Sequence, residues 1–122
     1  MLTLPSSVQA FVCLQATDLR KSFDRLAALT TSIIQRDPLS GHLFVFLNRD
    51  RNRVKILFWD RTGYCLYYKR LEAGTFTIPG IYGPGVDSIG ISLPELMLIL
   101  EGIDLSGARR RKRYRLENID KD

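Results

Sequence analysis

Apolar residues recur along the first third of the chain at two spacings, which indicate a strand followed by a helix. The short β-prone run at residues 8–14 predicts the strand. Between residues 19 and 34, apolar side chains return every three or four positions, the spacing of an amphipathic helix. Thr17 or Asp18 can cap this helix, because a side-chain oxygen there accepts a hydrogen bond from a free N–H of the first turn. The helix should end before Pro38, since the residue preceding a proline avoids the α region.

A series of strand-like runs separated by short polar loops follows the helix. The runs span residues 43–47, 54–59 and 64–71. A polar hairpin loop at residues 48–53 joins the first two. Asp60-Arg61-Thr62-Gly63 forms the tight turn before the third, with Gly63 available for a positive φ. Residues 75–78 are a candidate last strand. Consecutive strands joined by short loops are typical of an antiparallel meander.

The last third of the chain contains an irregular segment, a helix signal and a basic tail. Residues 79–90 hold four glycines and two prolines, a density that predicts an irregular connection. Ser92 and Glu95 fit a capping box at the start of a short amphipathic helix, and Gly102 can end it. The predicted fold class is therefore α+β: an antiparallel β-meander of about four to five strands packed against one main amphipathic helix, with a short C-terminal helix and basic tail.

These patterns divide the chain into an α+β core and three C-terminal segments. The four parts are residues 1–79 (core), 80–91 (Gly/Pro-rich connection), 92–105 (short helix packing on the core) and 106–122 (basic tail). In the core, we expect Phe23, Leu26 and Ile33 of the main helix to face the sheet.

Length and composition are those of an ordinary globular protein. The chain has 122 residues, enough for one domain, of which 45% are hydrophobic and 25% charged. No apolar run approaches the ~20 residues of a membrane helix, and the N-terminus resembles no secretory signal, so we expect a cytoplasmic protein without membrane contact. Cys13 and Cys65 lie in apolar runs and are interpreted as reduced core thiols, with a disulfide between neighbouring strands as the alternative.

The sequence contains no recognisable catalytic, metal or cofactor motif. His42 is the single histidine, and no spacing of histidine, cysteine and carboxylate residues supplies partners for a metal. The aspartates lie at caps, turns and polar faces, so a metal-dependent nuclease is the least favoured interpretation. No phosphate-cradling glycine loop opens a helix. We therefore expect no enzyme activity, including no hydrolysis of DNA, and no cofactor.

Basic and aromatic residues are more informative, because the two together are typical of nucleic-acid surfaces. The net charge is +5, and residues 109–122 supply +4 of it through seven basic and three acidic residues. The candidate nucleic-acid contacts are Arg49, Arg51, Arg53, Lys55, Lys69, Arg70, Arg109, Arg110, Arg111, Lys112, Arg113 and Arg115. The candidate aromatic face consists of Trp59, Tyr64, Tyr67 and Tyr68.

The predicted hairpin between the second and third strands indicates which of these side chains share one face of the sheet. With Thr62-Gly63 as the turn, one sheet face carries three residues of each strand, namely Lys55, Leu57 and Trp59 of the second and Leu66, Tyr68 and Arg70 of the third. Such a face, aromatic at its centre and basic at its rim, can stack bases or follow a phosphate backbone. The alternative is that the aromatic residues are core packing, the arginines belong to a solvated loop and the tail is a solvated, disordered segment.

Several blocks of the sequence, in a fixed order, form a recognisable pattern. They are Asp18-Leu19-Arg20-Lys21-Ser22-Phe23-Asp24, Asp37-Pro38-Leu39-Ser40-Gly41-His42-Leu43-Phe44-Val45-Phe46, Lys55-Ile56-Leu57-Phe58-Trp59-Asp60 and Gly63-Tyr64-Cys65-Leu66-Tyr67-Tyr68-Lys69-Arg70-Leu71-Glu72. Together with residues 93–103 and the basic tail, they resemble the TnpB accessory proteins of the IS sixty-six (IS66) insertion-sequence family. Ser22 and Arg25 stand where members of that family often have glycine. The resemblance implies a small protein encoded beside a DDE-type transposase and assisting transposition, with no established catalytic residue to carry over.

Two hypotheses about function follow from the residues and the resemblance. The first is a transposition accessory protein that binds DNA, or the DNA-bound transposase, through residues 49–55, Lys69, Arg70 and the tail. The second is a protein–protein adaptor or homo-oligomeric scaffold, whose exposed aromatic strands pair with the transposase or with a second copy. The implied partners are DNA and the DDE-type transposase of the same element.

Overall fold

A computed structural model of the chain describes residues 7–80, 82–104 and 109–110, and the side chains of residues 7–80 and 82–102. Its main sheet comprises β1 (Ala10–Cys13), β2 (Leu43–Leu47), β3 (Arg53–Asp60), β4 (Gly63–Arg70) and β5 (Ser88–Ile91). The strands pair in the order β4-β3-β2-β1-β5. The helices are α1 (Phe23–Leu29), which continues as a π-helical turn over Thr30–Ile34, and α2 (Leu93–Glu101). A two-residue ladder joins β6 (Ile103–Asp104) to β7 (Arg109–Arg110).

The sheet is mostly antiparallel, which confirms the α+β fold class. Strands β2, β3 and β4 form the expected meander. Strand β1 lies parallel to β2, because α1 carries the chain back over the sheet between them, and β5 then pairs antiparallel with the other edge of β1. The sheet therefore combines one helical crossover with one meander.

The start of α1 differs from the sequence prediction, and its end agrees with it. Thr17 donates its hydroxyl hydrogen to the Gln15 carbonyl, and the Asp18 carboxylate accepts from the Arg20 backbone N–H, so neither residue caps the helix. The residue before the helix is Ser22, whose side chain makes no capping hydrogen bond. Gln35, with a left-handed φ of 61°, ends the helical segment before Pro38.

Each face of the sheet carries its own hydrophobic cluster. The α1-face cluster consists of Phe11, Cys13, Leu19, Leu26, Ile34, Phe44, Phe46 and Leu57. The α2-face cluster contains the alternate residues of the same strands, together with buried residues of α2 and of the 76–78 segment. Leu26 is fully buried and Ile33 is half-buried against the first cluster. The expectation for Phe23 was wrong: it lies in the first turn of α1 and is 42% exposed.

Two corrections concern the C-terminal half. Residues 75–78 do not form a strand; instead Phe76 and Ile78 are buried in the α2-face cluster, and the Phe76 N–H donates to the Arg51 carbonyl at 2.7 Å. The fifth strand is β5, which occupies the end of the segment expected to be irregular.

The predicted start and end of α2 are confirmed. Ser92 and Glu95 form the capping box, and Gly102 ends the helix with a φ of 83°.

The two cysteines are unpaired, so the disulfide alternative is wrong. Cys13 packs in the α1-face cluster and Cys65 packs against the α2-face cluster, on the other side of the sheet. Burial raises the pKa of the Cys13 thiol. In the described part of the chain, no helix is long and apolar enough to cross a membrane.

Candidate nucleic-acid interface

The β3–β4 hairpin brings basic and aromatic residues to the α1 face of the sheet. Lys55 lies opposite Tyr68, and the shared face predicted for Lys55, Leu57, Trp59, Leu66, Tyr68 and Arg70 is confirmed. The predicted four-residue turn at residues 60–63 is confirmed, because Asp60 pairs with Gly63. Its left-handed residue is Arg61, with a φ of 50°, and not Gly63. The face assignment took Thr62-Gly63 as the two turn residues, whereas Arg61 and Thr62 occupy those positions. That correction moves the register by two residues, which leaves every side chain on its predicted face.

An open groove of about 1020 Å³ lies beside this face, next to the β2–β3 loop. Four cationic residues line it, namely Arg20, Arg49, Arg53 and Lys55. The lining also includes the carboxylates of Asp18 and Asp50, and the ring of Tyr68. The side chains therefore give the groove a net charge of +2.

Lys55 is the most buried cation of the groove, with only 8% of its surface exposed. Its ammonium donates to the Lys21 carbonyl at 2.9 Å and lies 4.9 Å from the centroid of the Tyr68 ring. A buried charge needs such partners, because desolvation otherwise disfavours it. Lys55 is thereby fixed between β4 and the segment that precedes α1.

Tyr68 is held at two points on this face. Lys55 lies over its ring, and Arg53 donates from its guanidinium to the Tyr68 hydroxyl at 3.2 Å. Tyr68 is nevertheless 49% exposed, and β4 is an edge strand among the strands that the structure describes. Tyr68 is thus an oriented aromatic surface flanked by two cations.

Asn48 organises the loop that carries the groove arginines. Its side-chain oxygen accepts from the backbone N–H groups of Asn52 and Arg53, at 3.1 and 3.0 Å, and its amide nitrogen donates to the Asn52 side chain at 2.7 Å. Asparagine commonly closes turns in this way, so its presence at the start of a polar loop was the available sequence signal. The loop geometry sets Arg49 and Asp50 at the rim of the groove.

Arg20 is a groove residue that the sequence interpretation missed. Its guanidinium binds both carboxylate oxygens of Asp18, with an ion-pair distance of 2.8 Å. The hydrogen bonds from Arg20 hold the pKa of Asp18 well below its usual range. Asp18 therefore stays ionised and compensates the charge of Arg20. The net charge of +2 in the groove then comes from Arg49, Arg53 and Lys55 together with the carboxylate of Asp50.

The other described candidates lie outside this groove. Arg51, with a left-handed φ of 56°, lines a separate pocket with Tyr82. Lys69 and Tyr67 belong to the opposite sheet face, where Lys69 donates to the Leu100 carbonyl at 2.8 Å. Arg70 shares the groove face but pairs with Glu72 at 2.8 Å.

The remaining candidates divide between the turn and the tail. Trp59 and Tyr64 pack edge to face, with ring centroids 5.1 Å apart, at the other end of the hairpin. The backbone of Arg109 and Arg110 forms β7. Arg111, Lys112, Arg113 and Arg115 lie outside the described residues.

His42 makes contacts that stabilise the fold. Its Nδ1 accepts from the Gln9 backbone N–H at 3.0 Å, and its ring packs edge-on against Phe11 with 5.4 Å between centroids. Within the residues that the structure describes, no three histidine, cysteine or carboxylate side chains form a group able to hold a metal ion.

Comparison with known proteins identifies relatives of this chain. The profile of the family described as IS66 Orf2 like protein (TnpB_IS66) matches residues 8–110. Two proteins of Sinorhizobium fredii are similar over 104 residues: uncharacterized protein y4hO is 36% identical, covering 85% of this chain and 88% of its own length, and uncharacterized protein y4jC is 30% identical, covering 85% and 86%. No solved structure is significantly similar to the chain. The chain therefore belongs to the IS66 Orf2-like family, which implies a transposition-associated accessory role.

Proposed function

We propose that this protein assists insertion-sequence transposition by binding DNA through the basic groove. The observation that carries the proposal is the convergence of Arg49, Arg53 and Lys55 with the exposed ring of Tyr68 on one open groove. Cations that contact phosphates release condensed counterions, which supplies most of the sequence-independent affinity for DNA. The tail arginines at residues 109–115 extend the same positive charge along the chain.

The groove cations differ in what they can contribute. Lys55 is fixed and buried, so it supplies a positive field at the floor of the groove. Arg49 and Arg53 are exposed at its rim, where a guanidinium can bind a phosphate in a bidentate manner. We therefore expect the two rim arginines to make direct phosphate contacts.

Substitution of the rim arginines tests the proposal. In the double variant Arg49→Gln/Arg53→Gln, the affinity for a DNA duplex should fall, and the slope of log affinity against log salt should shrink by roughly 0.9 per lost phosphate contact. Gel-shift or fluorescence-anisotropy titrations at several salt concentrations measure both quantities.

Arg51→Gln is the matched control. It removes one positive charge from the same loop, at a residue that lies outside the groove. The proposal requires a clearly larger effect per charge in the double variant. Equal effects per charge would mean that DNA responds to the total charge alone, and unaltered binding in both variants would contradict the role of the groove.

A second candidate function, that of an adaptor, rests on the free edge of β4. Among the described residues, this eight-residue strand pairs only with β3, and Tyr67 and Tyr68 are exposed on it. An exposed strand edge can accept a strand from another chain. Copurification with the transposase that persists after nuclease treatment, together with salt-independent association, would favour this adaptor over direct DNA binding.

A further inference from the structure

The ring of Tyr68 bears on the form of DNA that the groove accepts. Tyr68 is 49% exposed, whereas Lys55, the residue opposite it on β3, is buried. Lys55 lies over the ring, and the hydroxyl is bound by Arg53. Both contacts come from β3, and among the described residues no strand pairs with the other edge of β4.

This arrangement provides a stacking surface that is oriented before a ligand binds. A free tyrosine side chain must lose rotational freedom when it stacks, and the two contacts to Tyr68 already restrict that freedom. The cations beside the ring can bind the phosphates that flank a stacked base. Arg49, Arg53 and Lys55 all line the same groove as Tyr68.

A base can stack on a protein ring only when its own face is free. In a duplex, the faces of the bases are covered by neighbouring base pairs, whereas a single strand can present them. An aromatic ring that is both exposed and surrounded by cations is therefore complementary to an unpaired strand, while cations alone would serve a duplex equally well.

We infer that the groove takes single-stranded DNA, with one base stacked on Tyr68 and the adjoining phosphates bound by Arg49 and Arg53. This inference rests on the proposed function, and it names the form of DNA bound at the same site. Tyr67, the next residue along β4, lies on the opposite face of the sheet and takes no part in it.

The test compares two neighbouring tyrosines on two forms of DNA. The full-length protein is titrated by fluorescence anisotropy against a short labelled single strand and against the matching duplex. Tyr68→Leu removes the ring, Tyr68→Phe keeps the ring and loses the bond from Arg53, and Tyr67→Leu is the matched control because Tyr67 is similarly exposed, at 41%. Circular dichroism establishes that each variant is folded.

The expected result is tighter binding of the single strand by the unchanged protein. Tyr68→Leu should weaken single-strand binding on the order of tenfold, the usual effect of removing one stacked aromatic ring, with less than about a twofold effect on the duplex. Tyr68→Phe should retain most of the single-strand affinity, and Tyr67→Leu should retain all of it.

The outcomes distinguish this inference from the function on which it rests. Duplex binding that equals or exceeds single-strand binding, or a Tyr68→Leu variant indistinguishable from Tyr67→Leu, overturns the inference and leaves DNA binding by the groove intact. A protein that binds neither form of DNA overturns both. If Tyr68→Leu fails to fold, the comparison of the two DNA forms by the unchanged protein and by Tyr68→Phe still decides the question.

Discussion

The contribution of a side chain to the stability of the fold depends on how deeply it is buried. Leu26 and Phe23, which belong to the same short helix, illustrate this. Leu26 is fully buried between α1 and the sheet, whereas Phe23, three residues earlier, is 42% exposed. Large apolar residues stabilise a protein through the surface they remove from water and the contacts they make there. The smaller side chain of this pair therefore contributes more to the stability of the fold.

Substitution of both residues by alanine tests this difference. We expect Leu26→Ala to lower the free energy of unfolding by about 2–5 kcal/mol, because it leaves a cavity in the α1-face cluster. Phe23→Ala removes a larger side chain and should cost less, about 1–2 kcal/mol, since a large part of that side chain is already in water. Urea unfolding followed by circular dichroism measures both values. A greater loss for Phe23→Ala would contradict the placement of α1 on the sheet.

At the scale of elements, the two helices differ in whether a serine at the N-terminus forms a capping hydrogen bond. Helix α2 carries a complete capping box and a left-handed glycine at its end, and Lys69 binds the Leu100 carbonyl in its last turn. Helix α1 has Ser22 at the corresponding first position, but that side chain makes no capping bond. The helical segment of α1 is stabilised by tertiary packing, and that of α2 also by its own sequence.

The two serines form a natural pair for experiment. Ser92→Ala should lower the free energy of unfolding by about 1 kcal/mol, because it removes the acceptor for the Glu95 N–H. Ser22→Ala changes the same residue type at the same helical position and should have an effect within about 0.5 kcal/mol, because no capping hydrogen bond is lost. Chemical denaturation curves measure both variants, and equal losses would show that the capping box of α2 adds nothing to stability.

At the scale of the whole molecule, charge and core are separated along the chain. The tail of residues 109–122 carries +4, and the first 108 residues carry eleven basic and ten acidic groups, a net charge of +1. In the part that the structure describes, no residue of either hydrophobic cluster lies beyond Leu100. Among the described residues, the hydrophobic clusters and the strongly basic tail therefore belong to different parts of the chain, and we expect folding to depend little on the tail.

A chain ending at Ala108 tests that separation. It loses the β6–β7 ladder and should keep the far-ultraviolet circular dichroism of the complete chain, because both clusters remain. If the tail contacts phosphates, DNA affinity should fall, and the salt slope should shrink by roughly 0.9 per contact on a duplex. If the groove alone binds DNA, the slope should stay nearly unchanged while Arg49→Gln/Arg53→Gln reduces it. A truncated chain that fails to fold would show instead that the tail stabilises the core.

The sequence by itself determined those features that depend on near neighbours. The spacing of apolar residues identified α1, α2 and the three strands of the meander, since a helix and a strand expose side chains with fixed periods. The capping box at Ser92 was readable because its partners are three residues apart. The shared face of β3 and β4 was also readable, because a tight hairpin fixes which residues alternate inward.

Only the tertiary structure decided the features that join distant segments. The parallel pairing of β1 with β2 and the addition of β5 depend on how the whole chain packs, and neither leaves a local pattern. The groove arises in the same way: residues 16–20, the β2–β3 loop and Tyr68 meet there although they are far apart in the sequence. The sequence identified the basic and aromatic residues as candidates. It could not show that Lys55 is buried beside the exposed Tyr68, or that Arg51 lies outside the groove. Both facts depend on side-chain directions that are fixed only when the chain folds.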